Sequence, residues 1–363
     1  MNNTVRTPEI RRPEAIDAEW MSQVLQNAGI DSAVSSVEIS QVGTGQIGAC
    51  VRLRLEYSRA APRGPRSLIG KFPSPNPASF RAGIALGDYA REVKFYRDLA
   101  RGALVSTAKC YLADIDEDSG EFVLLLEDLA PAQQGDQLRG VRIDQARLVV
   151  DEAAKLHASY WNDAAIAQLD WVRLTPRSSF PLPTAAAIQQ VCDAFCHRYA
   201  GQLSDRVVAT CRRYAERVEH CRALPRKNKC LAHYDFRPDN MMFATSSGGR
   251  PVTIVDWQTL SHAPGADDLA YFLAGALPPE QRRAHEPECL DRYLGKLKSL
   301  GVQGYEMSDL QRDYAVGGFR LLATAMGGSM AAIQTERGDR MFMQMVNAAA
   351  EHIHDHDALA FLE

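Results

Sequence analysis

The sequence is short of three things, and each shortage narrows what the chain can be. Net charge is small: 41 basic residues face 45 acidic ones, leaving −4. A nucleic-acid binder needs a basic surface that displaces counterions, so no nucleic-acid partner is expected. A local basic pocket for a nucleotide is still allowed. Long apolar runs are missing too. The longest, Leu321 to Ile333, is too short to cross a bilayer and is diluted by Gly327, Gly328 and Ser329, so no membrane partner is expected. The opening MNNTVRTPEI lacks the apolar stretch of a signal peptide. Without such a signal, the eight cysteines read as reduced thiols, and a cytoplasmic location is expected. Repeats and low-complexity segments are also lacking.

What remains is the mix of a soluble globular protein, 46% apolar and 24% charged. A chain of 363 residues exceeds one ordinary core and suits two lobes. Residues 1–13 read as a polar arm. From Pro13 to Ala28, Ile16, Trp20, Met21, Val24 and Leu25 recur at helical spacing. The period then becomes two. Val37 to Val42 and Cys50 to Tyr57 alternate, and Ser67 to Phe72 is a third short strand. Ser79 to Ala100 is charged and predicts one helix. Val105 to Ala113 and Phe122 to Glu127 predict two further strands. After Pro131 helices dominate, beginning with the amphipathic stretch Ile143 to Asn162. They are interrupted by a short β-rich island from Cys230 to Trp257. The expected fold class is therefore α+β: a β-rich N-lobe with one inserted helix (residues 1–128) and a mostly helical C-lobe (residues 129–363).

The island carries the chemistry. Cys230-Leu-Ala-His233-Tyr-Asp235-Phe-Arg237-Pro-Asp-Asn240 places His, Asp and Asn in the pattern H-x-D-x-x-x-x-N, and an apolar strand follows that ends at Asp256. Phosphoryl transfer needs this set. One carboxylate takes the proton of the attacking hydroxyl, while an amide oxygen and a second carboxylate hold Mg²⁺ against the phosphate oxygens. On this reading Asp235 is the base and Asn240 and Asp256 are the metal ligands. His233 orients the loop.

These segments resemble the aminoglycoside phosphotransferase and choline kinase superfamily, which shares the protein-kinase fold. The D-W-Q ending at Asp256-Trp257-Gln258 resembles the ecdysteroid-kinase-like branch, and the likeness runs from about Val37 to Phe272. A kinase-like fold requires four further parts upstream. Gly43-Thr44-Gly45-Gln46-Ile47-Gly48 fits G-x-G-x-x-G. The alternating stretch after it predicts a strand, whereas dinucleotide-binding folds open a helix there. By resemblance Lys71, at the end of Leu68-Ile69-Gly70-Lys71, contacts the α- and β-phosphates. Glu92 is the helix acid that holds it, with Asp88 and Arg91 on neighbouring turns leaving that choice open. The backbone at Glu127 and Leu129 would pair with the adenine edge. Two lesser segments agree with the family: Leu156-His157-Ala158-Ser159-Tyr160-Trp161, where His157 reads as packed, and Gly265-Ala-Asp-Asp268, whose Asp268 braces the catalytic loop.

The resemblance thus implies an ATP- and Mg²⁺-dependent kinase. Only Trp257 to Gly265 separates Asp256 from the next helix, too few residues for a protein kinase's activation segment, and Tyr234 stands where those enzymes carry a phosphate-receiving arginine. A small-molecule alcohol is the expected acceptor. An apolar, steroid-like or hydroxyacyl alcohol fits the D-W-Q branch by analogy. Tyr160, Trp161, Trp257 and the helix after Gly318 are candidate walls of its site. Arg237, two residues past the base, is placed to neutralise charge on the transferring phosphate. Gln258 replaces the glycine of D-F-G.

Two rival functions remain: a catalytically silent nucleotide-binding module, and a dinucleotide-binding oxidoreductase built on Gly43 to Gly48. His352, His354 and His356, with Asp355 and Asp357, invite a metal reading, but on a helix only His352 and His356 share a face. Cys192 and Cys196 lie one helical turn apart and read as core packing. Cys50 is an open question of oxidation sensitivity. Oligomeric state is not encoded in any of these features.

Overall fold

The computed structural model describes residues 8–43, 48–58, 64–179 and 182–363. They divide into two compact units. The first comprises Met1–Gly102, Thr107–Pro131 and Val255–Thr259; the second comprises Ala103–Ser106, Ala132–Ile254 and Leu260–Glu363.

The first unit opens with helix α1 (Ala18–Asn27), capped by Asp17, whose carboxylate accepts the Trp20 N–H at 2.7 Å. Such a cap contributes about 1 kcal/mol. Trp20, Met21, Val24 and Leu25 form its buried face. A five-stranded antiparallel sheet follows in the order β1-β2-β3-β5-β4, made of β1 (Val34–Gln41), β2 (Gly48–Tyr57), β3 (Ser67–Pro73), β4 (Cys110–Ile115) and β5 (Phe122–Glu127). Alternation decides its faces: Val51, Leu53 and Leu55 of β2 join the α1 residues and Leu68, Val123 and Leu125 in one core.

The single helix expected over Ser79 to Ala100 is broken. Helix α2 (Pro77–Ala85) stops, Gly87 turns left-handed at φ 68°, and α3 (Asp88–Lys94) restarts into a π-helical turn, Phe95–Leu99. A glycine carries that conformation with little strain, so Gly87 is the physical cause of the break. The strand expected from Val105 begins only at Cys110.

The second unit is mostly helical. A short strand β6 (Gln133–Gln134) precedes α4 (Ile143–Ser159), α5 (Ala185–Arg198), α6 (Asp205–Glu216) and α7 (Val218–Ala223). The island then supplies β7 (Cys230–Ala232), β8 (Met241–Thr245), β9 (Gly248–Ile254) and β10 (Ser261–Ala263). These form a three-stranded sheet β6-β8-β9 and the pair β10-β7. Helices α8 (Ala266–Ala276), α9 (Pro279–Ser299), α10 (Met307–Ala331) and α11 (Glu336–Asp355) complete it. All eleven residues of α8 are buried. It lies close under α10, because a Cβ on Gly317 would stand 2.8 Å from the Ala270 Cβ and 3.0 Å from the Ala266 carbonyl oxygen. Tyr271, Phe319, Leu322, Met345 and Ile353 sit in this unit's core. No described helix is long and apolar enough to cross a membrane.

Candidate active site

In the second unit, β7 delivers the chain to a tight loop that α8 holds from behind. Asp268, buried in the first turn of α8, accepts two backbone N–H groups with its two oxygens: His233 at 2.7 Å and Tyr234 at 2.8 Å. His157 of α4 reaches the same carboxylate through Nε2 at 3.2 Å and bonds the Tyr293 hydroxyl through Nδ1 at 2.8 Å. Gly265 is the residue this cluster allows, since a Cβ there would lie 2.5 Å from His157 Nδ1. His157 and His233 are fully buried, and His233 Nδ1 faces the Asp235 N–H at 3.4 Å. Neighbouring Asp267 is turned away, paired with Arg226 at 2.6 Å.

Tyr234 has the left-handed φ of 70°. Arg320 of α10 secures it from the other side: its Nη2 and Nε donate to the Tyr234 carbonyl oxygen at 2.6 and 3.1 Å, and its guanidinium lies 3.8 Å over the tyrosine ring. The turn presents Asp235. Its Oδ1 accepts from the Tyr271 hydroxyl at 2.8 Å, and its Oδ2 from Asn240 Nδ2 at 2.9 Å and Arg237 Nε at 3.2 Å. Asn240 Nδ2 also donates to the Asp235 carbonyl oxygen at 2.8 Å. Burial opposes charge on Asp235, but Arg237 and the Tyr271 hydroxyl outweigh it and draw its pKa down to about 2. Arg237 is itself committed, with Nη1 on Asp239 at 2.7 Å and against Met341 Sδ at 3.2 Å.

The first unit holds a second constellation. Lys71 on β3 donates to both oxygens of Glu92 on α3, at 2.6 and 2.8 Å, and stands 3.6 Å from Asp256 Oδ1. The choice among the three residues of α3 is thereby made, because Asp88 pairs with Arg91 at 3.1 Å. Arg91 in turn donates to the carbonyl oxygen of Gln258. Burial works against a charged Lys71; Glu92 and Asp256 overcome it and hold its pKa above the usual lysine value. Glu92 Oε1 also accepts the Trp257 N–H at 3.3 Å. Asp256 has φ 70°, a conformation an L-residue keeps only when its surroundings impose it. Its Oδ1 is buried without a hydrogen-bond partner. An orphaned carboxylate oxygen beside one lysine suits a cation, so the donor set fits a metal ion.

Two of the three loop glycines are described. Gly43 has φ 72°, and Gly48 opens β2 with its Cα 's missing side chain leaving room for the Phe72 carbonyl oxygen, which a Cβ would approach to 3.1 Å. Gly45 lies outside the described residues. β1 and β2 pair antiparallel, so the loop does not open a helix as in a dinucleotide fold. The Glu127 N–H is already bonded to the Lys109 carbonyl oxygen at 2.8 Å, so that N–H is engaged in the fold; Leu129 lies two residues past the end of β5 and is half-buried.

One expectation is overturned. Trp257 is no substrate wall: it is fully buried, stacked on Phe95 at 4.1 Å between centroids, with Nε1 on Thr107 at 2.9 Å. The Cys50 thiol is not activated, since burial pushes its pKa up against the pull of Lys71. Tyr271 and Arg320, both in contact with the catalytic loop, were missing from the sequence reading. All eight cysteines are free thiols, and Cys192 is a core residue.

The sequence model described as the ecdysteroid kinase-like family matches residues 43–303. A comparison with curated proteins returned no match. Among solved structures, a Plasmodium vivax ethanolamine kinase is similar at 13% identity and TM-score 0.51, covering 86% of this chain and 81% of its own. A GDP complex of wild-type aminoglycoside 2'-phosphotransferase-IIIa is similar at 12% identity and TM-score 0.52, covering 92% and 98%. A streptomycin–ATP ternary complex of APH(2")-IIa is similar at 13% identity and TM-score 0.51, covering 93% and 98%. At these identities the likeness is one of fold, and the fold is the α+β, protein-kinase-like one.

Proposed function

As the chain belongs to the ecdysteroid kinase-like family, we propose that it transfers the γ-phosphoryl group of ATP to a hydroxyl of a small molecule, with Mg²⁺. The observation that carries this reading is Asp235: Arg237, Tyr271 and Asn240 all favour its ionised form, as a proton acceptor requires. The first unit supplies the nucleotide residues. Lys71, clamped by Glu92, meets the α- and β-phosphates, Gly43, Gly45 and Gly48 cover the phosphates, and the backbone at Glu127 and Leu129 meets the adenine. The second unit supplies the base and the alcohol site.

Asp256, through its orphaned oxygen, and Asn240 would hold Mg²⁺. Both Asn240 Nδ2 contacts run to Asp235, which leaves the amide oxygen as the end that meets a cation. The ion supplies positive charge against the phosphate oxygens. Asp235 orients the acceptor hydroxyl and takes its proton, while Arg237 holds that carboxylate charged and adds positive charge near the transferring group. His233, with Asp268, fixes the loop so that Asp235 needs little reorganisation. An apolar alcohol is the acceptor class favoured by the family's description.

Labelled ATP incubated with a panel of alcohols tests the reading. The expected result is a phosphoester from at least one, with kcat falling roughly 10²–10⁴-fold in Asp235→Asn while the KM for ATP changes little. Nucleotide binding with no phosphoester from any acceptor would favour the silent module instead. A variant as fast as wild type would remove Asp235 as the base.

A further inference from the structure

Far along the chain from the catalytic loop, α9 and α11 bring together three residues that the reaction does not use. Glu286 of α9 and His352 and His356 of α11 each offer a ligand atom, and these atoms lie within 4.8 Å of one another. His352 and His356 are one helical turn apart, so their rings share a face, with centroids 4.6 Å apart. The second contact of His352 is already arranged. His352 is fully buried. Its Nε2 lies 3.0 Å from the Tyr314 carbonyl oxygen and donates to it, which leaves Nδ1 the unprotonated nitrogen. That Nδ1 is buried and has no hydrogen-bond partner.

Glu286 is fixed in the same manner. Its Oε2 accepts from the Tyr314 hydroxyl at 2.8 Å and from Arg282 at 2.6 Å, which leaves Oε1 facing His356 Nε2 at 2.9 Å. Those two atoms are at ion-pairing distance, and the contact with His356 helps to hold Glu286 ionised. Gly318 of α10 makes the space, since a Cβ there would collide with the His352 ring. A cavity of about 360 Å³ adjoins the cluster, lined by Glu286, His356, Tyr314, Gln311, Arg312 and Phe361.

We propose that Glu286, His352 and His356 form a binding site for one divalent transition metal of the zinc class. Two imidazoles and one carboxylate are a zinc-type donor set, unlike the all-oxygen set that Mg²⁺ prefers. Hydrogen bonds behind the ligands are the usual means of orienting such a set; here His352 donates to the Tyr314 carbonyl oxygen, and Glu286 accepts from the Tyr314 hydroxyl and Arg282. Three protein ligands leave a fourth position, and the adjoining cavity gives it room for water or a small ligand. The opposing charge is Arg282, which Asp355 also binds. The metal would tie the end of α11 to α9. It is separate from the Mg²⁺ of the proposed reaction.

Co²⁺ added to the chelator-treated full chain, in excess Mg²⁺ and without nucleotide, is the test. One equivalent should bind with the visible absorption of a four-coordinate site, and Zn²⁺ should displace it. His356→Gln and Glu286→Gln, checked for folding by circular dichroism, should each weaken binding roughly tenfold or more. On the unmodified chain, Zn²⁺ should shift the His352 and His356 ring nitrogen resonances, a readout that needs no variant. No stoichiometric binding by the wild-type chain, or equal binding in both variants, would overturn the site.

Discussion

Tyr234 is a tyrosine held at φ 70°, where an L-residue carries strain on the order of 1–3 kcal/mol. Asp268 takes its N–H, and Arg320 takes its carbonyl oxygen with two nitrogens and covers its ring. Lysine cannot reproduce that fork. Arg320→Lys should lower kcat for phosphoryl transfer about tenfold, roughly the loss of one charge-assisted hydrogen bond, and leave nucleotide affinity nearly unchanged. Steady-state kinetics beside nucleotide titration would separate the two, and an equal loss in both would deny Arg320 its positioning role. Asp235 and Asn240 were legible in the sequence because loop chemistry is written at short spacing. Tyr271 and Arg320 were not. They reach the same loop from 36 and 86 residues away, and only the packing of α8 and α10 decides which side chains arrive there. Gln258 shows the same limit: its side chain drew attention, whereas the contact it makes with Arg91 is through its backbone oxygen.

At the scale of elements, period and punctuation carried most of the information. The alternation in β2 and the apolar run in β5 predict those strands because burial on one face, or on both, leaves a regular mark. The break between α2 and α3 was hidden by the helical composition on either side of Gly87. Asp128, just past β5, ties three strands together: Arg52 of β2 binds it at 2.7 and 3.2 Å and Ser67 of β3 at 2.7 Å. Burial raises the Asp128 pKa, but Arg52 and Ser67 bring it below the usual carboxylate value. A folded-state pKa that is depressed stabilises above the unfolded pKa of about 3.9, and the contribution is lost as pH falls through the folded value. Wild type should therefore lose stability in acid. Asp128→Asn should start less stable at neutral pH and decline less steeply, as followed by urea denaturation from neutral to acidic pH. Parallel curves would mean the pair contributes no linkage.

At the scale of the whole molecule, the first unit is assembled from separated stretches: the chain leaves it at Pro131 and returns for Val255–Thr259. Those five residues bring Asp256 to Lys71, the Trp257 N–H to Glu92 and the Trp257 ring to Phe95. A fragment ending at Pro131 should therefore lack cooperative unfolding and protected amides in its α3 region; hydrogen exchange would show it, and native-like protection would refute it. The boundary near residue 128 read from composition marks where β structure gives way to helix, and composition has no means of showing a short return. The consequence reaches the gene. A crossover that swaps the first third of this coding sequence for a relative's would join one parent's lysine to the other parent's aspartate. Chimaeras need a second exchange around codons 255–259 to keep the two matched.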